Sequence, residues 1–411
     1  MIKIIKNLHI SYKDFIPALS GLIGKIALVS SFALVWAQEL SITNPNFVLE
    51  NVRIEILIGS IITLIASLLY PNAAPAGTLA PLVVLIPVMS AFGVHPLILG
   101  ITVGVLGILA VRSGLFKNLV DLSGFTCKTS ITLTFGISGI WMSVQKLYTF
   151  FNQEKHIFWI MVTFLTIIYV ILVCSKKNGL VIPLVSVAAF LIPKLAGTGY
   201  VITPVSLNLN LNPFYWWNDM WGIGFGLNGI TILKTIPFAA FVILLWAIDT
   251  LSIQTIREGS YRKEEKKEQL DIVQSFSIVA IRNIIGSFLG GAQTGSLWRS
   301  FLIPLYTVKR PMRNCAVLLG VLGIIASLTM IPIQIMSYTP LVWSVLLFGI
   351  FMPFAVVALT NTKNAGESRT KLFILTFSII GIAISPIITW IASVLYEKIE
   401  RQRLSIKSKK E

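Results

Sequence analysis

Charge is what this sequence has least of. Asp, Glu, Lys and Arg make up 12% of its 411 residues, against 55% hydrophobic. A soluble domain carries roughly 25% charged residues. The deficit is uneven, because long uncharged runs alternate with short charged loops. A soluble two-domain chain would have to bury nearly every segment and is set aside. Cysteine is scarce too. Cys127, Cys174 and Cys315 lie far apart in or beside apolar runs, with no CxxC pair and no disulfide framework, and are expected to be buried packing residues. The three histidines, His9, His95 and His156, make no cluster with metal-ligand spacing, so no metal is expected. There is no G-x-S-x-G, H-E-x-x-H or Walker A sequence. These absences argue against an enzyme, against a catalytic cofactor and against ATP-driven pumping by this chain.

What is present is apolar sequence in lengths that span a bilayer. Crossing a ~30 Å hydrocarbon core takes about 20 residues. Apolar spans fall at 15–39, 52–70, 79–92, 94–112, 127–147, 156–175, 179–195, 229–255, 272–290, 296–308, 315–336, 340–360 and 371–397. Lys3 and Lys6 precede the first span without a small-residue cleavage site, so Asp14 onward is read as a membrane helix and not a signal peptide. The expected fold is an all-α polytopic membrane protein.

Lys and Arg orient it. With the N-terminus in the cytoplasm, the inside loops carry Arg112 and Lys117, Lys176 and Lys177, the cluster Arg257 to Lys267, then Lys309, Arg310 and Arg313, then Lys363, Arg369 and Lys371. The outside loops 40–51, 148–155, 196–228 and 337–339 hold no Lys or Arg except Lys155. This is the positive-inside pattern. It accounts for the excess of 33 Lys and Arg over 17 Asp and Glu, and no basic stripe with interleaved aromatics suggests nucleic acid. The basic tail, Lys398 to Lys410, also belongs inside, which one helix through 371–397 would not allow. A break near Pro386 is therefore expected, giving about fourteen helical segments and both termini in the cytoplasm of an inner-membrane protein. The segment 196–228 carries Tyr200, Phe214, Tyr215, Trp216, Trp217 and Trp221 and reads as an external interfacial cap.

A repeat divides the chain. Residues 74–79 read A-P-A-G-T-L and 292–297 read A-Q-T-G-S-L; each is followed by L-I-P and then by a Gly-rich helix. VWAQEL at 35–40 resembles LWAIDT at 245–250, which makes Glu39 and Asp249 approximate counterparts. The halves are 1–195 and 229–397, with 196–228 between them and the tail 398–411 after. Seven spans in the first half invert the second, a transporter signature. The short spans after each motif predict two half-helices meeting at the midplane, with free N–H groups and positive dipole ends converging near Gly77-Thr78 and Gly295-Ser296. An anion fits such a site.

Charges inside spans are costly and are functional candidates. Arg299, in the first turn of the second half-helix, either binds a substrate anion or pairs with Asp249 to hold helices together. Asp249 either binds a coupling Na⁺ or H⁺ or balances Arg299. Lys25 adds to the positive site, or its stem snorkels to an interface, which is the preferred reading. Arg282 has no partner nearby in sequence and is read as a structural contact.

The stretch 244–300 resembles the SulP anion permease family. The shared features are the acidic Asp249, the G-S-F-L-G-G turn at 286–291 and T-G-S-L-W-R-S at 294–300. The resemblance implies the seven-plus-seven inverted repeat shared with nucleobase permeases and bicarbonate exchangers. It also implies a core of helices 1–4 and 8–11 moving against a gate of helices 5–7 and 12–14. The expected chain is a divergent one that departs from the family's pattern in lacking its soluble C-terminal regulatory domain after the last helix. Gly77, Thr78, Gly295, Ser296 and Arg299 would then hold a small anion such as sulfate or bicarbonate, and Asp249 the coupling cation. Nucleobase permeases usually show Glu where this chain has Arg299, which disfavours them. A nucleobase permease and a non-transporting scaffold or sensor are the alternatives. Dimers are common in the family, so a homodimer through the gate is the corresponding expectation.

Overall fold

In hydrocarbon a backbone must satisfy its own N–H and C=O groups, so apolar runs of this length fold as helices. The computed structural model describes residues 9–197, 209–260 and 269–408. Tyr200, most of the basic cluster ending at Lys267, and Lys409 and Lys410 lie outside the described residues.

The first half contains α1 (Phe15–Glu39), α2 (Phe47–Leu69), strand β1 (Ala76–Thr78), a 3-10 turn (Ala80–Leu85) leading into α3 (Ile86–Ala91), α4 (Pro96–Arg112), α5 (Leu115–Leu122), α6 (Phe125–Phe150), α7 (Lys155–Cys174) and α8 (Val181–Leu195). The second half repeats the order. It contains α9 (Gly229–Ser260), α10 (Ile272–Phe288), strand β2 (Gly295–Leu297), α11 (Arg299–Val308), α12 (Met312–Thr329), α13 (Ile331–Met336), α14 (Thr339–Leu346) running through a π-turn (Leu347–Phe351) into α15 (Met352–Asn364), α16 (Ser368–Ala383) and α17 (Pro386–Ser408). Setting the short α5 and α13 aside, each half has seven segments, and the fold is the seven-plus-seven inverted repeat. Among the described residues, seven helical stretches are each long and apolar enough to cross a membrane, and the Ala80–Ala91 and Pro96–Arg112 pair, bent by 116°, passes the same test when taken together.

Pro386 does break the last apolar run. Helix α16 ends at Ala383, α17 starts at Pro386, and the two pack on each other. Proline cannot donate to the preceding turn, so the break falls where the sequence puts it. Helix α17 continues to Ser408, so residues 398–408 extend the last helix and are not a separate tail.

The helices pack as two groups. Helices α1, α2, α4 and α9–α12 form one group, in which α1, α2, α9 and α10 contact the two strands, while α6 packs on α14, α15, α16 and α17, and α7 on α8. Within the first group, glycines bring helices close: Gly104 of α4 faces Ala280 and Ile284 of α10, and Gly320 of α12 faces Ser60 and Leu64 of α2. These are related contacts in the two repeats, and small residues are how membrane helices approach closely. Glu397 of α17 accepts from Gly124 N at 2.8 Å and Cys127 N at 3.0 Å, so a carboxylate caps the start of α6.

The described part of the inter-repeat segment is fastened to the first group. Trp217 Nε1 donates to Phe288 O at 3.0 Å and Trp221 Nε1 to Gly290 O at 2.8 Å, both rings buried. Tyr215 OH donates to Glu50 at 2.9 Å; burial and that carboxylate push the phenol up to about 12. Two cysteines, Cys127 and Cys315, are buried as expected, but Cys174 is exposed at the end of α7.

Candidate functional site

The two motif stretches meet as a two-stranded antiparallel ribbon, with Ala76 opposite Leu297, Gly77 opposite Ser296 and Thr78 opposite Gly295. Leu79 N donates to Thr294 O at 2.9 Å and Trp298 N to Pro75 O at 3.2 Å. These two bonds are equidistant from the Gly77–Ser296 pair, so the two-fold relation between the repeats passes through that pair. It equates Leu79 with Trp298, and their backbones agree closely, with φ, ψ of −80°, 84° and −84°, 81°. The sequence alignment of Gly77 with Gly295 is thus one residue out of structural register.

This corrects the expected half-helix starts. Gly77, Thr78, Gly295 and Ser296 come together, but as strand residues; the helical turns begin at Ala80 and Arg299. Extended backbone inside the bundle needs partners, and the strands are each other's partners. Gly295 N is taken as well, donating to Asn283 Oδ1 at 2.6 Å, while Gly295 O accepts from Trp246 Nε1 at 2.9 Å. Close approach of the strands requires Gly77, because a Cβ there would lie 2.5 Å from Trp298 Cα.

Two buried ion pairs flank the ribbon. Toward α9, Arg299 pairs with Asp249, and Ser296 Oγ donates to the same carboxylate. Asp249 is buried, while the Arg299 side chain keeps 18% exposure. The guanidinium carbon lies 4.4 Å from the Phe354 ring centroid on α15, a cation–π contact between the two helix groups. Arg299 Nε has no partner among the described residues. Of the two readings of Arg299, the pairing with Asp249 is present, and the side chain also faces the second helix group.

Toward α2 and α10, Arg282 pairs with Glu55, both fully buried. Gln293 closes the site. Its Nε2 donates to Glu55 at 2.6 Å, its N to Glu55 at 3.1 Å, and its O accepts from Arg282 at 3.3 Å. Thr78 Oγ1 donates to Gln293, so Thr78 faces this network. Glu55 was missed in the sequence because it lies only nine residues into α2, beside Arg53 and Glu50, where it reads as part of a charged helix start. Arg282 has no partner nearby in sequence because its partner is 227 residues away.

Lys25 does not snorkel. It is 1% exposed, donates to Ala76 O at 3.2 Å and lies 4.1 Å from the Trp298 ring centroid. Gly59 on α2 gives it room, since a Cβ there would overlap Nζ. Glu39, aligned with Asp249 in the sequence, is exposed at the end of α1, so the two do not share an environment. A cleft of about 260 Å³ elsewhere, lined by Gly93, His95, Ile223 and Asn228 among others, includes no ribbon or ion-pair residue. No group of His, Cys, Asp and Glu among the described residues has the arrangement of a metal site.

The family described as "Protein of unknown function (DUF3360)" matches residues 5–402. No curated protein matches in sequence. Among solved structures, the chain is similar to SLC26A9, with a TM-score of 0.57 at 12% identity over 94% of this chain and 65% of that one. It is similar to the transmembrane domain of the cyanobacterium bicarbonate transporter BicA, with a TM-score of 0.57 at 12% identity over 92% of this chain and 98% of that one. The murine Slc26a9 anion transporter in the inward-facing state gives a TM-score of 0.55 at 10% identity, over 95% of this chain and 68% of that one. At such identities the likeness establishes the fold, and the chain spans 65% of the length of SLC26A9.

Proposed function

We propose that this chain, which belongs to the DUF3360 family of proteins of unknown function, is a secondary transporter of a small inorganic anion of the sulfate or bicarbonate class, coupled to Na⁺ or H⁺. The observation that carries this reading is Arg299. It stands at the first turn of α11, beside the ribbon that joins the repeats, and it reaches Phe354 of the other helix group. A planar donor fork at a helix N-terminus suits an oxyanion. Asp249, held by Arg299 and Ser296, is the group that a coupling Na⁺ or H⁺ would engage. Relative movement of the two groups would make and break the Arg299–Phe354 contact and expose the site alternately to each side. The neighbours' described roles, a bicarbonate transporter and an anion transporter, agree with this reading. The loop charges favour an inner membrane with both termini cytoplasmic.

The test is uptake into vesicles containing the purified protein. Sulfate or bicarbonate should enter, faster with an inward Na⁺ or H⁺ gradient, and Arg299→Ala should slow entry at least about tenfold, which is about 1.4 kcal/mol of barrier. Unchanged uptake and affinity in Arg299→Ala would remove Arg299 from the site. Competition by uracil or xanthine, with no effect of anions, would assign the chain to the nucleobase permeases instead.

A further inference from the structure

Among the described residues, the ion pairs around the ribbon leave the ammonium of Lys25 without a carboxylate, and we propose that Lys25 is the residue whose charge the transported anion neutralises. The inference rests on the anion-transporter reading and deepens it, since it moves the main electrostatic contact of the anion from Arg299 to Lys25.

The charges of Arg299 and Asp249 cancel, as do those of Arg282 and Glu55. Arg53, also buried on α2, turns away and donates to Ser327 O on α12 at 3.2 Å. Lys25 has no carboxylate partner among the described residues. Its contacts are one carbonyl, Ala76 O, and one ring, Trp298. Glu55 lies one turn from Gly59 on α2 but is already held by Arg282 and Gln293. Thr63, one turn further along α2, is buried with its hydroxyl unpartnered. A buried ammonium without a counter-ion is costly, and a carbonyl with a cation–π contact offsets only part of that cost.

The place suits an anion. Lys25 stacks on Trp298, the cap residue of the ten-residue α11, so its charge adds to the positive end of that helix. An ammonium is a compact point charge with three donors, of which only one has an acceptor here. A small oxyanion or halide would supply the missing counter-charge and acceptors together. Arg299 would then complete the far side of the site and report its occupancy to Phe354.

Wild-type protein, Lys25→Met and Lys25→Arg are titrated with sodium sulfate, sodium bicarbonate and sodium chloride, reading the thermal midpoint and, in vesicles, uptake. The wild type should gain stability with at least one anion by mass action. Lys25→Met should start from a higher midpoint without anion, because an uncompensated buried charge is gone. It should also bind that anion at least about tenfold more weakly. Lys25→Arg should keep binding within a few-fold. Wild-type anion affinity in Lys25→Met overturns the inference. So does a lower starting midpoint that Lys25→Arg restores without changing anion affinity, the behaviour of a purely structural lysine. A wild type that shows neither a shift nor uptake with any of the three salts overturns the transporter reading itself.

Discussion

Two arginine–carboxylate pairs lie on either side of one short ribbon, and they differ in how far each is closed off. Arg282–Glu55 is sealed: both side chains are fully buried, and Gln293 and Thr78 close the carboxylate off. Arg299–Asp249 is open on one side, with Arg299 partly exposed and stacked on a ring from the other helix group. A sealed pair holds α2, α10 and both strands in register. An open pair at the seam between groups can change partners when the groups move. Both arginines keep a free Nε among the described residues, so what separates the pairs is exposure and the Phe354 contact at the seam between the groups.

The comparison breaks most visibly at the sealed pair. Glu55→Ala leaves Arg282 buried and unpaired and is expected to cost about 3–5 kcal/mol, read as loss of monodisperse protein or a large fall in thermal midpoint. Replacing both residues with Leu and Met should recover most of that loss. If Glu55→Ala instead folds normally and abolishes uptake, the pair is functional and the contrast disappears.

At the open pair the order of effects reverses. Arg299→Gln with Asp249→Asn removes both charges and should leave the thermal midpoint within a few degrees, a change of roughly 1 kcal/mol. Uptake should fall at least about tenfold. A stability loss as large as that of Glu55→Ala would make the two pairs equivalent.

The ribbon itself gives a smaller and sharper contrast. Gly77→Ala forces a methyl against the Trp298 backbone at 2.5 Å, whereas a Cβ at Gly295 meets Asn283 Oδ1 at 3.1 Å. Overpacking costs about 1–3 kcal/mol, so Gly77→Ala should lower the midpoint more than Gly295→Ala. Equal effects would mean that the strands separate more readily than their register suggests. The smallest effect is expected from Phe354→Leu, which removes a cation–π contact worth about 0.5–1 kcal/mol. Uptake rate should change a few-fold with stability unaffected; no change in rate would mean that Arg299 does not sense the second group.

Much of the fold was legible from local sequence. Hydrocarbon thickness fixes how long an apolar run must be, so the spans were found from length alone, and the break at Pro386 followed from loop charge and proline chemistry. The candidate site was legible in part. Asp249, Ser296 and Arg299 stand in one motif-bearing stretch and do converge. The half-helix starts were misplaced by a few residues because Gly-Thr and Gly-Ser read equally well as a helix entry or as a strand, and only pairing with the distant repeat makes them strands. Lys25 was misread because snorkelling and burial share one sequence signature.

By itself, then, the sequence determined what the bilayer demands of each segment separately: which stretches are apolar enough to span it, and that the last of them breaks at Pro386. These are properties of a short stretch in a known solvent. Only the tertiary structure decided which buried charges meet, since Arg282 finds Glu55 across 227 residues and Arg299 finds Asp249 across 50. It also decided the register of the ribbon and the fate of Lys25. An ion pair is chosen by distance in space, and the hollow at Gly59 that admits an unpaired ammonium exists only once α1 and α2 have packed.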